Sequence, residues 1–530
     1  MGLLFSSLDF YSHVIYLSLS TRGSAKLPIY LVFLCKVNFI PFKNQYIRLG
    51  DAFYVKTRPA SVANPSLIRF NEALAVELGI PVLDNEDVAG IFSGKVIPEG
   101  SEPVAMAYAG HQFGGFNPQL GDGRAILLGE VASPAGGHFD IHLKGSGPTA
   151  FSRNGDGLAA LGPVLREYLV SEAMHKLGVP TTRALAAVTT GEEVVRERLL
   201  PGGVITRVAR SFVRVGTFEY FAARGNTGEI RQLADFIIER AYPEAREAAN
   251  PYVALLQGVV ERQAELIAQW MNLGFIHGVM NTDNMAISGE TIDYGPCAFM
   301  DGFDYNKVYS SIDRNGRYAY GNQASIGLWN LTRFAETLLP LFDENGDTAI
   351  EVAKQVLGVY VDHYQQVRQS GLLAKLGLLP GDAQTDAGDK KLIEALFDTM
   401  QASSADFTLT FYHLSRLSVQ ASENDEAIRR LFNHMPQFDD WLVQWREHLR
   451  RDAQDDTLRQ AAMQAVNPVY IPRNHQVEAA IRAAEDRADF SVFHTLHEVL
   501  QQPYRYQPGR DRYMQPPEPH EVVEKTFCGT

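Results

Sequence analysis

Six residues constrain the fold more than any others in the chain. Residues 139–144 alternate strictly, with Phe139, Ile141 and Leu143 on one side and Asp140, His142 and Lys144 on the other. Such period-two alternation marks a strand with one buried face, and it turns Lys144 away from the apolar side. The strand stands between two glycine-dense stretches, 108–123 (YAGHQFGGFNPQLGDG) and 145–157. The first runs through Arg124 into another strand-like segment, 125–131, and a turn at 134–137 joins the two strands. A helix follows, with Pro163 in its first turn and Gly178 before Pro180 as its stop, which puts Glu167 in the second turn.

Elsewhere the pattern predicts a helix over 58–81, where Leu67, Phe70, Leu74, Val76 and Leu78 fall near helical spacing and Gly79 closes it. A long helix is expected over 252–271, its buried face built from Leu255, Leu256, Val259, Val260, Leu266, Ile267 and Trp270 and its end at Gly274. A short loop, 277–284, comes next. Residues 285–287 and 291–293 then read as two small strands joined by a turn at Gly289. From Leu328 onward the chain is mainly helical, with a loop-rich break at 381–389 and a Pro-, Arg- and Tyr-rich tail from Pro503.

At 530 residues the chain exceeds what one hydrophobic core usually spans, so two lobes or more are expected. A hydrophobic fraction of 45% with mixed charges fits a globular chain without a membrane span. The net charge of −14 argues against nucleic acid as a partner, since that contact needs a basic surface to displace counterions. Any phosphate chemistry therefore needs a local basic pocket. Three cysteines, Cys35, Cys297 and Cys528, supply no disulfide framework and point to a reducing compartment. Residues 1–43 are unlike the rest, apolar and aromatic, densest over 29–34. That run is too short to span a bilayer, and the first residues lack the positive charge of a cleavable signal. A mis-assigned translation start, which would make this segment non-native, is the leading reading, and a peripheral targeting segment is the second.

Taken in order, the parts are a glycine-rich turn between strands, a strand lysine, a helix glutamate, a helix leading into a loop, and a strand ending in aspartate. That is the order of parts in a protein kinase. Glycines let backbone amides approach phosphates, the lysine neutralises them, the glutamate holds the lysine, and carboxylate and amide oxygens suit magnesium. The loop HGVMNTDN, 277–284, has the length of the kinase catalytic loop and keeps its first His and last Asn. Its third position is Val279, where the usual catalytic aspartate would stand, while Asp283 lies directly before Asn284. Asp293-Tyr294-Gly295 takes the place of the segment whose aspartate binds magnesium. Each part has a plainer reading alone. GDG at 121–123 is a hairpin turn, Lys144 a solvated strand residue, and Glu167 a surface helix residue. Arg207 and Arg214 would satisfy acidic neighbours, and Asp283 and Asn284 would cap a turn. His111 and His277 read as structural, and Asp301 and Asp304 as a solvated loop.

Together these motifs resemble the selenoprotein O family of protein adenylyltransferases, pseudokinases that transfer AMP from ATP to proteins. The motifs are GHQFGGF with QLGDGR, the KGSGPT and GDG loops, SEAMHKLGVPTTRAL, HGVMNTDN with DYGP, and a cysteine near the C-terminus. The resemblance runs from about Asn44 to Thr530. It implies an α+β, protein-kinase-like two-lobed fold. The N-terminal lobe would span 44–215, a helical C-terminal lobe with the catalytic loop 216–420, and a mainly helical extension and tail 421–530. It further implies that Gly121, Gly123, Arg124, Lys144, Asp156, Gly157, Arg207, Arg214 and Asp293 bind the nucleotide, and that Glu167 pairs with Lys144. Asp283 would be the catalytic base, and Asn284 and Asp293 would hold Mg2+ or Mn2+. In that family ATP lies reversed relative to kinases, so that its α-phosphate faces the incoming hydroxyl. Arg207 and Arg214 then suit the β- and γ-phosphates of a leaving pyrophosphate.

The activity so implied is transfer of AMP, or of UMP, to Ser, Thr or Tyr hydroxyls of protein partners. Location would be the cytoplasm for a bacterial-type member and the mitochondrion for a eukaryotic one. The C-terminal position holds selenocysteine or cysteine in the family, and a Cys297–Cys528 disulfide is expected to restrict the site under oxidising conditions. Leu158 departs from the basic residue that many relatives carry after GDG, and residues 1–43 have no counterpart. Two other functions compete: a phosphotransferase using the γ-phosphate, which Val279 disfavours, and a nucleotide-binding scaffold without catalysis, which the intact metal-ligand set disfavours.

Overall fold

The computed structural model describes residues 40–81 and 83–527. At its centre lies an antiparallel sheet of eight strands. In chain order these are β1 (Tyr54–Lys56), β2 (Ser66–Phe70), β3 (Val104–Met106), β6 (Ala125–Ala132), β7 (His138–Lys144), β8 (Ala159–Ala160), β9 (Arg183–Val195) and β10 (Leu199–Ala209). A small hairpin, β4 (Gly110–Gln112) with β5 (Gly115–Asn117), is inserted between β3 and β6. The spatial order is β1-β3-β6-β7-β10-β9-β2, with β8 paired to β10. In register, Arg207 of β10 stands opposite His142 of β7, and Lys144 opposite both Ala125 and Ile205.

The two faces of β7 meet different partners. Ile141 and Leu143 join Leu128, Val188 and Val208 in a core covered by α1 (Glu72–Glu77) and α2 (Asn85–Phe92). The opposite face, with Ile205, packs on α3 (Leu161–Lys176), whose Leu165, Tyr168 and Leu169 are buried. This helix is enclosed on almost every side because α14 (Asn474–Arg487) and α15 (Ser491–Leu500) cover it as well, through Val477, Ile481 and Phe493. Glu485 of α14 accepts a hydrogen bond from the Gly162 N–H at 2.9 Å and so satisfies one of the free amides of the first turn.

The largest core surrounds α6 (Pro251–Leu273), packed on α7 (Gln323–Phe342) and α8 (Gly346–Leu376). The expected start and stop of α6 are both present. Asn250 caps its first amides from outside, and Gly274, at φ +70°, closes it with its N–H on the Trp270 carbonyl. Immediately afterwards β11 (Phe275–Ile276) pairs with β12 (Ala298–Phe299), which pins the two ends of the loop carrying HGVMNTDN and DYGP. Helices α4 (Val215–Ala222) and α5 (Thr227–Ala241) follow the sheet. The C-terminal region is helical, comprising α9 (Ala383–Ser403), α10 (Phe407–Leu414), α11 (Asp425–Leu431), α12 (Pro436–Asp452), α13 (Asp456–Val466), α14 and α15. The fold is thus mixed α and β, with an antiparallel sheet and a helical C-terminal region. Among the described residues, no helix is long and apolar enough to cross a membrane.

Three sequence expectations are corrected. The helix over 58–81 is instead the strand β2 followed by the short α1. Leu67 and Phe70 pack on the α1–α2 side and Ile68 on the α3 side, a two-sided burial that edge pairing with β9 rewards and a helix would not. Val76 is 72% exposed, while Gly79, at φ +69°, still terminates α1. The segments 285–287 and 291–293 do not pair with each other. Ala286 bridges to Arg214 and Thr291 to Thr181, although Gly289 turns the chain as expected. The break at 381–389 ends early, because Asp382 accepts the Thr385 amide and starts α9 at Ala383. Ile40 is buried in the α1–α2 core and Phe42 bridges to Val131, so packing begins within the segment expected to be atypical. Its dense run at 29–34, Cys35 and Cys528 lie outside the described residues.

Candidate functional site

A cavity of about 700 Å³ opens between the sheet, the two glycine-dense loops and the loop after α6. Gly121, Gly123, Arg124, Lys144, Asp156, Gly157, Arg207, Arg214, Asp283, Asn284 and Asp293 all line it. Eleven side chains or backbones drawn from positions 121–293 therefore converge on one space. Glu167 sits behind Lys144, at 2.8 Å from its ammonium.

The glycines serve close approach between loops. Gly121 has φ +68°, and a Cβ there would lie 2.2 Å from the Phe151 ring. At Gly157, also φ +68°, a Cβ would meet the Gly147 backbone at 2.2 Å, so the two turns of the second loop can touch only without a side chain. Between the first pair of glycines stands Asp122, which sequence reasoning passed over. Its carboxylate is buried and accepts from the Met106 amide and from His142 Nε2, both at 3.1 Å.

Lys144, Arg207 and Arg214 converge on the Asp293 carboxylate. Lys144 Nζ lies 3.1 Å from Oδ1, Arg214 Nη1 lies 3.2 Å from Oδ2, and Arg207 forms a closer pair with Oδ1. Arg207 also pairs with Glu167. Burial alone would raise the Asp293 carboxyl, but the three cations hold it well below the usual carboxylate range. Glu167 behaves likewise: burial raises it, and Arg207 and Lys144 more than reverse the effect. Both acids are charged at neutral pH. Arg214 additionally donates to the Asp283 carbonyl at 2.8 Å and lies 4.5 Å over the Tyr108 ring. The plain expectation that these arginines satisfy acidic neighbours is met, and they line the cavity as well.

Asp283 is different. It is 7% exposed, its Oδ2 is 3.4 Å from the Gln112 amide nitrogen, and its Oδ1 has no hydrogen bond. Burial pushes its carboxyl up to about 7, against the pull of Arg214. Asn284 donates its amide to the Val279 carbonyl at 3.1 Å, which leaves its side-chain oxygen as an acceptor at the cavity wall. Asp293 sits at φ +61°, a conformation uncommon outside glycine and enriched for Asp and Asn, and the Gly295 amide bonds to its carbonyl at 2.8 Å.

A metal fits this donor set on limited terms. Among the described residues, no cluster of three His, Cys, Asp or Glu side chains forms a ready-made metal site. One carboxylate and one amide oxygen at the wall of a cavity suit Mg2+, which usually takes one or two protein ligands and completes its shell with phosphates and water.

His277 is buried and structural: its Nδ1 accepts from the Val279 amide and its Nε2 donates to the Ile292 carbonyl at 2.8 Å. His111 pairs with Glu219 at 2.6 Å, outside the cavity. Neither Asp301 nor Asp304 reaches the site, since Asp301 pairs with Arg473 and Asp304 binds Gln401. Asp156 is held by Arg196, at 2.7 and 3.2 Å, which keeps its carboxyl below its ordinary range. Arg196, Gln112 and Tyr108 are the other site residues the sequence did not single out. Gln112 was legible only as part of a glycine-rich stretch, and Arg196 lies 40 positions from its partner. Cys297 is buried, and the C-terminal segment returns to it, with Thr526 donating to the Pro296 carbonyl at 2.6 Å.

Residues 36–501 match the family model described as protein adenylyltransferase SelO. Proteins named protein nucleotidyltransferase YdiU are similar along nearly their whole length. The one from Rhizobium johnstonii is 57% identical over 491 residues, covering 92% of this chain and 97% of its own. That of Rhodopseudomonas palustris strain BisB5 is 57% identical over 492 residues, 92% and 99% respectively. The Rhizobium meliloti protein is 56% identical over 490 residues, with the same two shares.

Proposed function

The chain belongs to the SelO family of protein adenylyltransferases, and on that premise we propose that it transfers AMP, or UMP, from the nucleoside triphosphate to Ser, Thr or Tyr hydroxyls of proteins. The observation that carries the reading is Asp283. It lines the cavity with Asn284 and Asp293, and one oxygen of its buried carboxyl accepts no hydrogen bond, while the usual kinase base position is the buried Val279. With its pKa near neutrality, Asp283 is suited to take the proton from an acceptor hydroxyl. The freed oxygen attacks the α-phosphorus, the bond from that phosphorus to the bridging β-oxygen breaks, and pyrophosphate leaves.

Lys144, Arg207 and Arg214 supply the positive charge that holds the triphosphate and its leaving group. Glu167 fixes Lys144, and Gly121, Gly123, Arg124, Asp156 and Gly157 line the rest of the nucleotide's space. Asp293 and the Asn284 amide oxygen would hold Mg2+ or Mn2+, which supplies further charge neutralisation to the phosphates. We read the sheet with α3 as the N-terminal lobe, 44–215, of a kinase-like pair. Residues 216–420 form its helical partner and 421–530 an extension. The Lys144–Glu167 pair between a strand and a helix supports this division. The Cys297–Cys528 disulfide remains part of the proposal, supported by the docking of Thr526 at Pro296.

Incubation with a protein acceptor and ATP labelled on either the α- or the γ-phosphate tests the reading. Label from α alone is expected. Label from γ alone would make the chain a kinase, and no label from either would make it a scaffold.

A further inference from the structure

A second groove, of about 840 Å³, lies beside the nucleotide cavity, between the start of α3, the β9–β10 turn, α14 and the C-terminal segment. Arg196 and Ile312 line both spaces, so the groove is continuous with the transfer site. Nothing in the nucleotide chemistry uses it.

The lining has two characters. Its rim is apolar and open: Ile312, Val522 and Phe527 are 61%, 49% and 64% exposed. Its wall carries five cationic side chains against three acidic ones; Asp156 pairs with Arg196, and Asp486 with Arg198 and Arg482, from just outside it, which leaves Arg166 and Lys525 as the least compensated cations. One of the acids, Glu485, is already spent on the Gly162 amide and on Arg482 and Arg198. The deepest cation, Arg166, has a side chain only 8% exposed, yet among the described residues it makes no hydrogen bond to a carboxylate. It donates to the neutral Asn474 at 2.7 Å, and its nearest acid, Glu478, is 3.7 Å away and closer to Arg482, at 3.1 Å. Burial pushes the Arg166 guanidinium below its ordinary value. A buried, under-compensated guanidinium facing a groove favours an incoming carboxylate.

We propose that this groove docks the acceptor polypeptide, taking an extended segment with acidic and apolar side chains whose hydroxyl reaches Asp283 past Arg196 and Ile312. The inference rests on the reading that the acceptor is a protein. An acidic segment matches the Arg166 and Lys525 side of the wall, apolar side chains match the rim, and a net charge of −14 disfavours general adhesion of such a segment to the protein. Nucleic acid matches neither the modest charge excess nor the apolar rim.

The test is binding, which requires no transfer. Two fluorescein-labelled peptides of about fifteen residues with a central serine serve as probes, one flanked by Glu and Leu and the other by Lys and Leu. Anisotropy is read with the full chain, with and without a non-hydrolysable ATP analogue. The acidic peptide is expected to bind wild type at least about tenfold tighter than the basic one. An Arg198→Glu/Lys525→Glu variant should lose that preference, and Phe527→Asp should weaken both peptides, with ATP-analogue affinity unchanged throughout. Equal binding of the two peptides to wild type, binding of neither, or an unchanged preference in the double variant would overturn the proposal. Acidic-peptide binding without any α-label transfer would instead overturn the proposed activity and leave the groove standing.

Discussion

Two of the cavity's carboxylates, Asp122 and Asp283, combine deep burial with an oxygen that accepts no hydrogen bond; Asp122 is held by His142 and the Met106 amide, whereas Asp283 stands in the HGVMNTDN loop beside Asn284. Replacing Asp283 by Asn keeps the shape and removes the base, so AMP transfer should fall by about 10²–10⁴-fold while ATP-analogue affinity holds. Because burial sets its carboxyl near 7, the base becomes competent only as it loses its proton. Transfer in wild type should therefore rise with pH through about 7 and level off above it, and the residual transfer of Asp283→Asn should lack that rise. A flat wild-type profile would remove Asp283 from the proton's path. Asp283, Asn284 and Asp293 were legible because their motif fixes both residue type and spacing. Asp122, Gln112 and Arg196 were not, because each earns its place through a partner distant in sequence, as Arg196 does with Asp156.

The β4–β5 hairpin shows what an element adds to those residues. Its backbone lies against the HGVMNTDN loop: the His111 amide donates to Thr282 at 2.7 Å and the Phe113 amide to Asn281 at 3.1 Å. Gly110 is what permits the contact, since a Cβ there would stand 2.5 Å from Asp283 Oδ1. Gly110→Ala should displace the carboxylate and lower kcat by about 10–10²-fold, with far-ultraviolet circular dichroism and the KM for ATP unchanged. The strands β6 and β7 and the helices α3 and α6 were readable from period and punctuation, but their burial is wider than the pattern implies: β6 and β7 are covered on both faces and α3 on almost every side, by segments distant in sequence. The helix expected over 58–81 failed where Ser66–Phe70 found an edge of the sheet, a long-range pairing that local spacing does not encode. The small strands expected at 285–293 failed for the same reason, as their partners are Arg214 and Thr181.

At the scale of the whole molecule, the C-terminal region is part of the architecture that holds the site. Arg473 joins Asp301, just past β12, to Asp406 at the start of α10, and α14 and α15 cover the helix that carries Glu167. The helix before that region contains a cost. Lys375 of α8 is buried with its ammonium 4.3 Å from the Phe411 ring, and burial pushes it down to about 7. In the unfolded chain the same lysine keeps its proton to about 10.4. Between these values the unfolded state binds more protons, so this group makes stability rise with pH from about 7 to about 10. Lys375→Met should raise the melting temperature at pH 7 and flatten that rise. An unchanged slope would mean that Lys375 titrates as an exposed lysine.

The central claim, that this cleft moves the nucleotide and not the terminal phosphate, is tested most directly by the intact mass of an acceptor protein after incubation with ATP. An AMP-sized increment on wild-type reaction products, with pyrophosphate released and the increment lost in Asp283→Asn, is the predicted result. A phosphate-sized increment, or an AMP increment undiminished in Asp283→Asn, would contradict it.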